Sequence, residues 1–126
     1  MKINNQQIYE LYKNLANSFI KEQRYFPAKV NFIIQKNLKT LYEAAQEIEN
    51  IRLNIAKNYG MVQNNNDFII EPQNIQQANK ELNELSEIEQ EINILFLTFK
   101  DIEEIEFTPA QMGAILFMIK EDEGEE

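Results

Sequence analysis

From Ala28 to Tyr59 the chain contains neither proline nor glycine, and this stretch lies between Pro27 and Gly60. Nothing else in the sequence constrains the fold as strongly. Ile34, Leu38, Leu41, Ala45 and Ile48, then Ile55 and Tyr59, recur in steps of three and four. That is the seam of a helix packed along its length. At about 1.5 Å per residue the helix is about 50 Å long. Propensity does not hold such a helix in water; it needs partners along its apolar face. Pro27 suits the first helical position, Gly60 the C′ position, and Lys57 the negative end of the helix dipole.

The partners are sought on both sides. Residues 5–22 read as a first helix, capped by Asn4 or Asn5, with Ile8, Leu11, Tyr12, Leu15 and Phe19 on one stripe and Ile20 widening it. After Gly60, the Asn64-Asn65-Asn66-Asp67 cluster is turn chemistry, and Phe68-Ile69-Ile70 is a short β-prone run closed by Pro72. Asn74 is placed to cap a third helix over 75–89, with Ile75, Ala78, Leu82 and Leu85 on the seam. The short connection makes it an antiparallel partner of the long helix. Counting out from the turn sets Arg52 beside Leu82, within reach of Glu81 or Glu84. Residues 91–99 carry apolar residues on both faces and predict a buried strand, with 67–71 as its partner and buried helix as the alternative. Thr108-Pro109-Ala110-Gln111 has the form of a capping box with proline at the first position, and opens a last helix with Met112, Ile115, Leu116 and Ile119 inward. The fold class is therefore mainly α with a small two-stranded β element. The domain is single, 1–126, with residues 121–126 forming a disordered acidic tail.

Composition narrows the chemistry. The chain has no histidine, cysteine or tryptophan. That removes imidazole bases, thiol nucleophiles and zinc sites built on either. Its three glycines are isolated, so no phosphate-binding glycine loop is present. These features predict a non-enzymatic protein without cofactor or metal. Charge is uneven. Residues 1–63 carry nine Lys and Arg against five Glu; residues 64–126 carry three Lys against sixteen Asp and Glu, giving the net −9. An acidic total disfavours direct nucleic-acid binding. No apolar run is long enough to span a membrane, and the N-terminal residues lack a signal-peptide core, which predicts a cytoplasmic protein.

Two groups of residues are candidates for function. Glu84, Glu87 and Glu91 share a helix face if the third helix reaches 91, and Asp101, Glu103, Glu104 and Glu106 follow. Carboxylates so spaced bind a hard cation, or meet a basic protein surface; the plain alternative is a solvated face. The tyrosines Tyr9, Tyr12, Tyr25, Tyr42 and Tyr59, with Lys21, Arg24 and Lys29 among them, suggest an interface or a nucleic-acid face; the plain alternative is the rim of a core. Arg52 reads as a paired or snorkelling arginine.

The segment FPAKVNFIIQKNLKTL, the helix end IRLNIAKNYG, NKELNEL and the final TPAQMGAILFMIKED occur in a collinear order. In this the chain resembles a group of small uncharacterised proteins of phages and prophages of Firmicutes. The likeness spans about residues 24–122 and rests on Pro27-Ala28-Lys29, Asn37–Lys39, Arg52 and Tyr59-Gly60. It implies a phage origin and a mainly helical fold, and carries no activity with it. Together these features predict an interaction protein acting on a host or antiphage-defence protein, in the cytoplasm of the infected bacterium, through the acidic 81–106 region. The alternative is a virion or tail-assembly component that oligomerises through the long helix.

Overall fold

A computed structural model of the chain describes residues 1–62 and 68–121. The long helix is present as α2, Ala28–Tyr59, beginning one residue after the expected proline, which stands as its N-cap. The preceding strand β1, Lys2–Asn4, leads directly into α1, Asn5–Phe19. Asn4 caps α1 as expected: its side chain accepts from the Gln7 N–H at 2.8 Å, while the Gln7 side chain accepts from the Asn4 N–H at 2.9 Å. This reciprocal box satisfies two donors that the helix start would otherwise leave open. α1 stops at Phe19 rather than 22, so Ile20 falls beyond the stripe and is exposed.

α2 buries Val30, Ile33, Ile34, Leu41, Ala45 and Ile48 along one face. Its end differs from the expected left-handed cap. Gly60 is extended (φ −142°) and starts β2, Gly60–Val62, paired antiparallel with β3, Phe68–Ile70. The Tyr59 carbonyl at the helix end accepts from the Asn74 side-chain amide at 3.2 Å, so no glycine cap is needed. Asn74 thus closes α2 rather than capping its own helix, for which its side chain makes no cap bond. A 3₁₀ turn, Pro72–Asn74, then leads into α3, Ile75–Glu87, which returns along α2. The antiparallel hairpin is as expected. The Asn-Asn-Asn-Asp turn lies outside the described residues, as does the acidic tail after Glu121.

Residues 89–102 depart furthest from expectation. They do not form one buried strand, and they do not pair with 67–71. β4, Glu89–Glu91, pairs antiparallel with β1. β5, Leu97–Thr98, pairs parallel with β6, Ile119–Lys120. Between them, Ile92 and Ile94 point into the core, and alternation fails before Leu97. The reason is Asn37, whose side chain takes both backbone groups of Leu95 and so replaces a strand partner. A short helix α4, Phe99–Ile102, follows, capped by Thr98 with Asp101 in a second box. α5, Pro109–Ile115, starts at the expected Thr108-Gln111 box, and a 3₁₀ turn, Leu116–Met118, leads to β6.

One core joins these parts. Ile8 and Leu15 of α1, Ile34 and Leu41 of α2, and Leu97, Ile115 and Met118 from the second half are all fully or almost fully buried. Phe19, Phe26 and Phe107 close one end with tilted and edge-on ring contacts at 5.6–6.4 Å between centroids. The architecture is mainly α, with a long central helix and, among the described residues, three small two-stranded β pairs.

Candidate interaction surfaces and a three-helix groove

The carboxylates picked out in the sequence fall into two groups. Glu84 and Glu87 lie on the solvent side of α3 and are exposed; the inner side holds Ala78 and Leu85. The helix then ends, because Ile88 turns extended and its carbonyl accepts from the Asn5 N–H at 2.9 Å. Glu91 therefore leaves the face of Glu84 and Glu87. It sits in β4 opposite Lys2, with its carboxylate 2.9 Å from the Met1 amino group.

The second group lies at the other end of α1. The Arg24 guanidinium there donates to the Glu106 carbonyl, whereas the first group adjoins Asn5 at the start of α1. The groups therefore adjoin opposite ends of α1, whose 15 residues span about 22 Å. The 81–106 region is thus two acidic patches and not one. Glu103 and Glu104 follow α4 and are exposed. Asp101 is engaged internally: it accepts from the Thr98 N–H at 2.9 Å and pairs with Lys29 at 3.0 Å. The Thr98 backbone bond, helped by the Lys29 ammonium, holds its carboxyl below the usual carboxylate range.

Arg24 organises a polar cluster between these elements. It bonds Glu22 and the Gln111 side-chain oxygen, the latter at 2.9 Å, and its guanidinium lies 5.4 Å from the Phe26 ring centre. Gln111 donates to Glu22 at 2.8 Å. Bonds from Arg24 and Gln111 lower the Glu22 pKa to about 2. Arg24 and Lys29 are therefore each matched by a carboxylate, which weakens them as part of a phosphate-binding face. Among the tyrosines, Tyr12 and Tyr42 meet at a tilt of 55° across α1 and α2, with ring centres 5.6 Å apart, while Tyr25 stands exposed.

Arg52 does not reach Glu81 or Glu84. It pairs with Glu49 of its own helix in a two-pronged contact: Nε to Oε2 at 2.8 Å and Nη2 to Oε1 at 2.6 Å. A partner one turn away costs less side-chain ordering than one on another helix. The bond lowers the Glu49 pKa and raises that of Arg52. Glu81 instead lies close enough to the Tyr59 hydroxyl to raise the Tyr59 pKa. Arg52 does lie near Leu82 as expected: both line a groove of about 460 Å³ where α1, α2 and α3 meet. Ile48, Leu82 and Leu85 give the groove an apolar floor; Tyr9, Arg52 and Asn83 are among its polar walls. Sequence reading missed this groove. The one available signal was the Glu49-Arg52 spacing.

Among the described residues, no helix is long and apolar enough to cross a membrane, and no three acidic side chains are grouped to hold a metal ion. Comparison with protein-family models, with curated proteins and with solved structures finds no match.

Proposed function

We propose that the chain is a phage- or prophage-encoded binding protein that engages a host or antiphage-defence protein stoichiometrically, without chemistry of its own. The observation that carries this reading is the state of four carboxylates. Glu84, Glu87, Glu103 and Glu104 are exposed and make no ion pair among the described residues, whereas Glu91 and Asp101 are engaged within the fold. Unmatched surface carboxylates held on a rigid scaffold present a fixed negative pattern, which steers a partner with a basic surface. The lack of histidine and cysteine supports a binding role over catalysis. The resemblance to phage and prophage proteins supports the setting, the cytoplasm of an infected bacterium.

The test has two steps. The tagged chain is used to isolate its partner from host cells, and the purified partner is then titrated against wild type and a Glu84→Gln, Glu87→Gln, Glu103→Gln, Glu104→Gln variant. The variant is expected to bind about tenfold or more weakly while keeping its helical circular dichroism. Equal affinity of both proteins for the partner sinks the acidic-surface reading.

A second reading is an assembly component that oligomerises through α2. It draws on Phe32 and Ile51, which are exposed on that helix. Sedimentation distinguishes the two: a ring or large assembly favours the second, a monomer or dimer the first.

A further inference from the structure

The groove between α1, α2 and α3 holds an arginine that is only half used. A guanidinium has five N–H donors in one plane. Glu49 takes the Nε–H and one Nη2–H, the side edge of the fork. The end edge, formed by Nη1 and the second Nη2–H, has no partner among the described residues. The side chain is 49 % exposed and lines the groove. Glu49 locks the rotamer, so this edge is presented without further ordering cost.

The rest of the groove complements such a donor. Tyr9, itself half exposed, lines the same groove as Arg52 and brings a phenol hydroxyl to it. Asn83, also exposed, adds a side-chain amide to the lining. The floor of Ile48, Leu82 and Leu85 offers apolar contact and no charge. A volume of about 460 Å³ lies within the range of small-molecule sites. We infer that this groove binds a small organic carboxylate with an apolar body, the carboxylate gripped by the end edge of Arg52 and the body laid on Leu82. Glu49 cancels the arginine's charge, so the site selects for geometry and an apolar body, and simple anions bind poorly.

The experiment uses the full chain labelled with ¹⁵N and three probes: 4-phenylbutyrate, its neutral amide 4-phenylbutyramide, and acetate. The acid is expected to bind saturably at about millimolar concentration, shifting the amide signals of Tyr9, Asn83 and Ser86 and the Arg52 Nε signal. The amide and acetate are each expected to bind about tenfold or more weakly, since one offers a single acceptor to the two-donor edge and the other lacks the apolar body. Arg52→Lys keeps the charge and loses the planar edge, and is expected to weaken the acid by about tenfold. The variant sits on an exposed helix position, so its fold is expected to be unchanged, as its spectrum will report. The inference is overturned if the acid gives no saturable shift, if acid and amide bind alike, if Arg52→Lys binds the acid as wild type does, or if the shifts map elsewhere.

Discussion

Asn37, fully buried in α2, holds Leu95 by both of its backbone groups. The Asn37 amide donates to the Leu95 carbonyl at 2.8 Å, and its side-chain oxygen accepts from the Leu95 N–H at 2.9 Å. A single side chain thereby does for residues 92–96 what a neighbouring strand does elsewhere. Asn37→Ala leaves two backbone groups unpaired and opens a small void. The expected loss is about 2–3 kcal/mol in urea unfolding. Asn37→Asp is expected to cost more, because it sets a carboxylate oxygen against the Leu95 carbonyl in a buried site.

Leu41 lies fully buried at the middle of α2. Leu41→Ala is expected to destabilise the fold by about 2–5 kcal/mol, the range for a leucine removed from a close-packed core. Ile20→Ala, on an exposed residue beyond the end of α1, is expected to shift the urea midpoint very little.

Glu22 has its pKa lowered to about 2 by Arg24 and Gln111. Because the folded value lies below the unfolded one, the group contributes stability above about pH 4.5, and loses it as pH falls towards 2. In thermal melts at a series of pH values, wild type is expected to exceed Glu22→Gln at pH 6. The gap is expected to close between pH 4.5 and 2. A gap that stays constant over that window contradicts the assignment.

Asp101 and Glu103 are near neighbours in sequence with different expected roles. Asp101→Ala removes the box at the start of α4 and the Lys29 pair, and is expected to cost about 1 kcal/mol of stability. Glu103→Ala is expected to leave stability unchanged and to slow partner association. That association is also expected to slow as salt is raised from about 50 to about 300 mM, because the screening length shortens over that range. Stopped-flow mixing with the purified partner reads both effects.

Local rules made part of this fold legible. The Asn4 and Thr108 boxes, the seam of α2 and the return of α3 follow from residues within a few turns of each other. The segment 92–99 was not legible, because its apolar pattern fits strand or helix and the decision is made by Asn37, which lies far away in sequence. The end of α3 was misread for a similar reason: pairing between Lys2–Asn4 and Glu89–Glu91 stops the helix at Glu87, and nothing in the local sequence does. Of the acidic residues, spacing gave the exposure of Glu84 and Glu87. It did not give the separation of Glu91 from them, nor the internal role of Asp101. The three-helix groove depends on how α1, α2 and α3 meet, and only the Glu49-Arg52 pair within it had a local signature.

The core residues of α1 and α2 are covered by Leu97, Ile115 and Met118 from the second half of the chain. During synthesis the first two helices leave the ribosome well before that cover exists. Ile8, Leu15, Ile34 and Leu41 then face water or whatever apolar surface is nearby, and the closing contacts span most of the sequence. Folding is therefore expected to wait until Met118 has left the ribosome, and the interval before closure is when the nascent chain is most prone to aggregate or to recruit a chaperone.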